Sequence, residues 1–447
     1  MRIRQFHNPK LSIWQSAVDE VLVKKLAAQK TSTAPQDTAT AGTRPDASHP
    51  SVQEAASYCA AIDSGKSLSE LTAGPPPAGG VAHTLSYCSV VAMKLAQAIL
   101  TGNQQNCQRY RDELGKFTDC DPLYAEAAEK YAEYFVAQCK KVPYRVHQTL
   151  DDFVIEGKLP PKARVAILGD WGTGQAAARK VLQQIAAKTP DVVIHLGDIY
   201  YSGTDFEVET YFYDPWTQIL DLPNRGIPTF TLAGNHDMYS GGAAYYNLID
   251  RLGQPASYFC LRNEYWQFLA MDTGLHDSNP TAAGTAATYL EATELEWHQD
   301  KINRAGNRRT ILLSHHQPFT ANDAIDGHEV NLRLYPQVSS FFPHIALWLW
   351  GHEHNFVIYE PYMGLERGRC IGHAAFPVGI DEIASQPRFP NVPVKRTDEN
   401  GKSLMLGATG GLYNHGYVVM DLDGPSAKVY YFQDSDENMP LFQETIP

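Results

Sequence analysis

Cysteine is sparse and unevenly placed. Seven are scattered over 447 residues, and no two stand in a Cys-x-x-Cys spacing, which sets aside zinc ribbons and thioredoxin-type redox chemistry. The odd count leaves at least one thiol unpaired within the chain. Cys59, Cys88, Cys107, Cys120 and Cys139 fall in the first third, where one or two disulfides stay open, and Cys260 and Cys370 read as buried thiols. Long apolar runs are missing too. The closest, Ser89 to Leu100, is short and contains Lys94, so no transmembrane segment is expected. Met1 to Gln29 mixes Arg2, Arg4, Lys10, Lys24 and Lys25 with apolar residues and has no uninterrupted apolar core. It does not read as a signal peptide, and the expected location is cytoplasmic. The formal net charge is −13 and there is no dense Lys/Arg run, so no nucleic-acid surface is expected. A Gly-x-Ser-x-Gly elbow and the Gly-rich dinucleotide and P-loop patterns are absent, which argues against a serine nucleophile and against those nucleotide folds.

What is present suits a globular protein of two or three domains: 43% hydrophobic and 19% charged residues. Residues 1–30 hold a helical pattern from Ile13 to Ala28, with Val18, Val21, Leu22 and Leu26 at helical spacing. Residues 31–51 are rich in Thr, Ala, Pro and Asp and read as a linker. Residues 52–150 carry further helical patterns (Val52 to Asp63, Thr84 to Thr101, Cys107 to Lys116, Pro122 to Lys141), interrupted by the Pro/Gly run from Gly74 to Gly80. This amino-terminal part is expected to be a small helical domain without visible chemistry; in its last helix Tyr124, Ala127, Tyr131, Tyr134 and Phe135 form a packing stripe.

At Pro160-Pro161 the pattern changes, and residues 160–447 alternate short apolar runs with helical stretches. That alternation predicts an α/β domain with a largely parallel sheet. A hairpin is expected at the carboxyl end, Gly416 to Leu422 and Ser426 to Phe432 around Asp423-Gly424-Pro425. The apolar runs end alike. Val165 to Leu168 leads into Gly169-Asp170, and Val192 to Leu196 into Gly197-Asp198. Thr229 to Ala233 leads into Gly234-Asn235-His236-Asp237, Thr310 to Ser314 into His315-His316, and Ile345 to Trp350 into Gly351-His352-Glu353-His354. A single Asp after a strand is commonly a turn former. Carboxylates, an amide and imidazoles after five separate strands are the donors that a pair of cations requires, with one shared carboxylate between them.

These blocks, with Gly169-Asp170-Trp171-Gly172, Gly197-Asp198-x-x-Tyr201 and Leu312-x-x-His315, resemble those of the calcineurin-like metallophosphoesterases, and more narrowly the purple acid phosphatase branch. The resemblance implies a four-layer α/β/β/α sandwich after the small helical part. It implies Asp170, Tyr201 and His354 on a first metal, Asp198 bridging, and Asn235, His315 and His352 on a second. Gly172 stands where many relatives have a metal-binding His, and Tyr201 would supply the missing donor, favouring Fe(III) beside a divalent Fe, Zn or Mn. His236 would face the phosphoryl group and aid the leaving oxygen, oriented by Asp237; His328 and His316 are candidate substrate-facing residues. The implied reaction is attack on phosphorus by a metal-bridging hydroxide, with a phosphomonoester as the expected small-molecule substrate. A phosphodiesterase for cyclic nucleotides, nucleotide derivatives or phospholipid head groups is the alternative. A non-catalytic partner-binding protein is the third reading, which the complete ligand set opposes. His195, inside a strand, reads as a core residue; His276, His373 and His415 lie in expected loops.

Overall fold

The computed structural model describes residues 9–33, 81–116, 123–138, 140–278, 286–380 and 387–446. The expected linker, the helix Val52 to Asp63 and the Gly74 to Gly80 break lie outside them. Two compact units result, one mainly residues 1–141 and the other mainly 142–447.

The first unit consists of α1 (Pro9–Thr33), α2 (Val81–Leu100), α3 (Gln104–Lys116) and α4 (Leu123–Gln138). Trp14 of α1, Val91, Ala92, Leu95 and Ala96 of α2, Leu114 of α3 and Ala127 and Ala128 of α4 share one core. The small alanines let the helices approach closely, and Tyr131 of the expected stripe packs edge-on against Trp14. No described helix is long and apolar enough to cross a membrane.

The second unit holds two large sheets and a two-stranded ribbon, β11 (Ala408–Thr409) and β12 (Leu412–Tyr413). One has the order β1 (Val154–Ile155), β5 (Phe259–Arg262), β6 (Trp266–Ala270), β7 (Arg309–Ser314), β8 (Ile345–Trp350), β10 (Gly368–Ile371), β9 (Phe356–Ile358). The other has the order β15 (Phe442–Ile446), β14 (Ser426–Gln433), β13 (Gly416–Asp423), β2 (Lys162–Leu168), β3 (Val192–His195), β4 (Thr229–Thr231). The pairs that carry the chemistry, β2–β3–β4 and β6–β7–β8, are parallel. The flanking pairs β5–β6, β9–β10, β2–β13, β13–β14 and β14–β15 are antiparallel. The first sheet is largely parallel, as expected, since β1–β5 and β8–β10 are parallel too; the second is mixed, because β13, β14 and β15 follow one another as antiparallel strands beside β2 with no crossover helix.

Side-chain alternation divides each strand between two cores. Val165 and Ile167 of β2, Ile194 of β3, Phe268 of β6, Ile311 and Leu313 of β7 and Leu347 and Leu349 of β8 meet between the sheets. Ala166, Leu168 and Val193 turn outward onto α5 (Ala176–Ala187), against Val181, Leu182 and Ile185. Leu269, Leu312, Trp348 and Trp350 turn the other way, onto Trp297 and Ile302 of α7 (Ala292–Asn303). The α6 helix (Ala243–Arg251) adds Ala244 and Leu248 beside α5. Four layers, α/β/β/α, follow. Burial on both faces is why these strands read in sequence as unbroken apolar runs.

Residues 142–153, of which 142–150 are expected with the helical part, pack on the α/β unit. The Tyr144 hydroxyl donates to Glu294 at 3.0 Å, Arg145 pairs with Asp250 at 2.8 Å, and Trp297 donates to the Asp152 carbonyl at 3.0 Å. Replacing Ile194 by Ala removes a side chain that is buried between the sheets. Urea denaturation is expected to show a loss of about 3 kcal/mol, within the range for such cavities, and a loss below about 1 kcal/mol contradicts the placement. Lys428→Ala on exposed β14 is expected to change stability by less than about 0.5 kcal/mol.

Candidate dinuclear metal site

The carboxyl ends of β2, β3, β4, β7 and β8 deliver their side chains to one place. Asp170 follows β2 with φ +60°, Asp198 follows β3 with φ +78°, and His352 follows β8 with φ +65°. Each therefore leaves its strand through a left-handed residue, a conformation that turns the chain sharply and costs energy unless surrounding contacts hold it. They do so here: the His352 amide donates to Asp170 Oδ2 at 2.9 Å. The Asp198 and Gly234 amides both donate to Asp237 Oδ2, at 2.9 and 2.7 Å. Gly234 is required by close approach, since a Cβ there would stand 2.1 Å from Asp198 Oδ1.

One group of donors gathers around Asn235, which opens the short helical turn Asn235–Met238. Its Oδ1 is 3.1 Å from His315 Nε2 and 3.1 Å from His352 Nδ1, and those two nitrogens are 3.3 Å apart. Asp198 Oδ1 lies 3.3 Å from His315 Nε2. His315 Nδ1 faces the Leu196 carbonyl at 3.0 Å. A carbonyl only accepts, so Nδ1 carries hydrogen, and in the neutral ring Nε2 turns its lone pair to the amide oxygen. Asn235 Oδ1 and the two ring nitrogens can all offer lone pairs to one point, where a proton or a cation would be held. Burial works against a charged His315, but the carboxylates of Asp198, Asp170 and Asp237 outweigh it and hold its pKa up at about 9. Burial, then the neighbouring imidazoles His316 and His315, hold His352 well below the ordinary histidine value.

A second group gathers around Asp170. Its Oδ1 is 3.5 Å from His354 Nε2. The hydroxyl of Tyr200 donates to Asp170 Oδ1 at 2.8 Å and lies 2.9 Å from His354 Nε2. Burial, followed by the negative charge of Asp170 and Asp198, holds that phenol far above its usual pKa; a cation in the same place would reverse the sign of the effect. Asp170, Asp198 and His354 form one cluster with ligand spacing, and His315, His316 and His352 another. Buried hard oxygens and imidazoles with opposed lone pairs fit two cations.

Several residues sit differently from expectation. Tyr201 is named by the motif, yet the hydroxyl beside Asp170 and His354 is that of Tyr200. The main chain of Tyr201 is held elsewhere. Its amide, with those of Ser202 and Thr204, donates to the Glu207 carboxylate, and its carbonyl faces His236 Nδ1 at 2.6 Å. That carbonyl, not Asp237, is the orienting contact seen on His236. Asp237 ties the β3 and β4 ends together through main-chain amides instead. The His236 ring lies against Tyr200 with centroids 4.7 Å apart, and burial lowers its pKa. His316 is fully buried, with Nδ1 3.1 Å from Thr273 Oγ1 and Nε2 3.1 Å from Asp277 Oδ2, so it has no open face for substrate. His328 is exposed in a tight turn in which its main chain pairs with Ile325, and no described contact joins it to the cluster.

Of the remaining histidines, His195 is the expected core residue: it is fully buried against Thr231 Oγ1 at 2.9 Å, and burial pushes its pKa down to about 3. His276 pairs with Glu291 at 2.9 Å and stacks on Tyr289. Glu353, between the two histidines of His352-x-His354, turns away from the donors and accepts from Thr320. Sequence reasoning did not single out Tyr200 or Asp277. Adjacent tyrosines give no signal of which one faces inward, and Asp277 follows β6 in a loop without a motif.

Residues 163–356 match the family model for the calcineurin-like phosphoesterase. The 3',5'-cyclic adenosine monophosphate phosphodiesterase CpdA of Escherichia coli (strain K12) is 31% identical over 130 residues, covering 29% of this chain and 44% of that protein. This chain thus spans under half the length of that relative. Tartrate-resistant acid phosphatase type 5 of Mus musculus is 23% identical over 261 residues, covering 52% of this chain and 77% of that protein. The purple acid phosphatase PPD1 from yellow lupin (Lupinus luteus) seeds aligns with TM-score 0.45 at 14% identity, over 65% of this chain and 54% of that one. Residues 163–356 thus form a calcineurin-like phosphoesterase domain.

Proposed function

We propose that this chain hydrolyses phosphoesters at a pair of cations. Asp170, His354 and a tyrosine would hold the first, Asn235, His315 and His352 the second, with Asp198 shared. The observation that carries this reading is the convergence of Asn235 Oδ1, His315 Nε2 and His352 Nδ1 to within 3.3 Å of one another, with Asp198 beside them and the Asp170–His354 group adjoining. When bound, such a pair supplies an activated water at neutral pH and withdraws charge from a phosphoryl oxygen.

The chain's own residues provide the rest. His236 has Nδ1 committed to the Tyr201 carbonyl, which leaves Nε2 as the nitrogen whose proton varies. Burial alone favours the neutral ring. A phosphoryl group beside it raises the pKa again, so the substrate itself would prepare His236 to donate to the leaving oxygen. Asp237 fixes the spacing of the two loops that carry Asp198 and Asn235.

The first-site tyrosine is assigned to Tyr200 on its hydroxyl contacts, with Tyr201 as the motif's alternative. The tyrosine-bearing pattern favours Fe(III) beside a divalent Fe, Zn or Mn and favours a phosphomonoester. A diester is the second reading, supported by the carboxylate of Asp277 in the same cleft.

His236→Ala is expected to keep the metal content of wild type, measured by elemental analysis, and to lower kcat/KM on an aryl phosphoester by about 10²- to 10⁴-fold. Unchanged turnover removes its assigned role. Asp198→Ala is expected to lose at least one cation per chain and to abolish measurable turnover; full metal content and activity contradict the shared-carboxylate assignment. In iron-loaded, oxidised protein a visible tyrosinate–iron band is expected to vanish in Tyr200→Phe and to persist in Tyr201→Phe. The opposite pattern returns the role to Tyr201.

A further inference from the structure

The turn Leu275–Asp277 packs against the turn Asn235–Met238, which carries Asn235 and His236. Asp277 ends the first of these turns. Its Oδ2 lies 3.1 Å from His316 Nε2. On the other side of the ring, Thr273 Oγ1 accepts the His316 amide at 3.0 Å and lies 3.1 Å from His316 Nδ1. That hydroxyl oxygen already accepts an N–H, so its own hydrogen is available for Nδ1. Nδ1 is then the acceptor, and Nε2–H donates to the Asp277 carboxylate. The tautomer of His316 and the orientation of Asp277 are thereby fixed together.

The His316 ring centroid lies 4.3 Å from that of His352 and 4.9 Å from that of His315. Asp277 therefore stands one imidazole away from the proposed ligands of the second cation. Its side chain is 15% exposed, so the carboxylate reaches solvent from a turn that packs on the turn bearing Asn235 and His236. Burial raises its carboxyl pKa, and His352, His236 and His315 draw it back down by charge; its electrostatic neighbours are the groups assigned to the phosphoryl site. The motif-bearing residues do not require this carboxylate. A negative group beside an anion-binding site opposes substrate charge, and the opposition grows with the charge of the substrate, which is a means of discrimination.

We propose that Asp277, anchored by His316, is a specificity-determining residue that weakens the site's hold on dianionic phosphoryl groups and so narrows its preference for monoesters over diesters. The proposal rests on the reading of the cluster as a phosphoester hydrolase. A phosphomonoester above its second ionisation near about pH 6 carries close to two negative charges, whereas a diester carries one. The extra charge meets the fixed carboxylate across a low-dielectric wall, and at an effective dielectric of about 20 and a separation on the order of 8 Å this repulsion readily amounts to tenfold or more in binding.

The test uses metal-loaded full-length protein at about pH 7.5 with p-nitrophenyl phosphate and bis(p-nitrophenyl) phosphate. Asp277→Asn keeps the acceptor for His316 and removes the charge. The monoester-to-diester ratio of kcat/KM is expected to rise about tenfold, with the metal content of wild type. Asp277→Glu keeps the charge and is expected to leave the ratio within about threefold. An unchanged ratio in Asp277→Asn overturns the proposal, as does a parallel fall on both esters accompanied by metal loss, which marks a purely structural role. Wild-type protein that hydrolyses neither ester when fully loaded overturns the hydrolase reading itself, a failure distinct from an unchanged ratio.

Discussion

Negative and lone-pair-bearing groups are held face to face in a dry place, and the rest of the α/β unit is arranged around that constraint. Asp170 and Asp198 are fully buried carboxylates, and Asn235, His315 and His352 bring potential metal donors to within little more than 3 Å of one another. Such a cluster is unstable in isolation, because buried charge without a partner costs several kcal/mol (about 3–5 for a broken buried pair). In the metal-free chain a proton on His315 offsets part of it. Two cations would offset all of it, and the same unfavourable arrangement then becomes binding energy for the metals.

The strands supply the rigidity that makes this possible. Their side chains are locked in three cores, between the sheets and under each outer helical layer. Their carboxyl ends are therefore fixed points, and only the first one or two residues after each strand bend. The bends are left-handed at Asp170, Asp198 and His352, and the strain is held by hydrogen bonds between loops, His352 to Asp170 and Asp198 to Asp237, with Gly234 to Asp237 bracing the β4 loop itself. Asp237 thus serves the geometry of two strands at once, which explains an acidic residue next to His236 that does not orient its ring.

Much of this was legible in the sequence because it depends on local patterns. Apolar runs of four to six residues followed by Gly-Asp, Gly-Asn-His-Asp, His-His or Gly-His-x-His marked β2, β3, β4, β7 and β8 and their cargo. His195 was readable as core because it falls inside such a run. What escaped depended on contacts distant in sequence. The motif does not reveal that Tyr200 turns its hydroxyl to Asp170, since the path of the loop is set by the Glu207 carboxylate holding the amides of Tyr201, Ser202 and Thr204. His316 looked open to substrate because it adjoins a ligand. Asp277 and Thr273, 39 and 43 residues upstream, close it off. The edge hairpins lacked a signal because β5, β9 and β10 are short and their polarity alternates weakly.

Asp277 gives the cleft a charge that the metal ligands do not need, so discrimination between substrates and the chemistry itself rest on different residues. The account as a whole stands on two cations sharing Asp198. Anomalous diffraction from crystals grown with Mn or Zn tests this most directly. Two peaks about 4 Å apart are expected, one against Asp170 and His354, the other against Asn235, His315 and His352, with Asp198 between them. A single peak, or peaks away from these strand ends while the cluster stays empty at saturating metal, would contradict it.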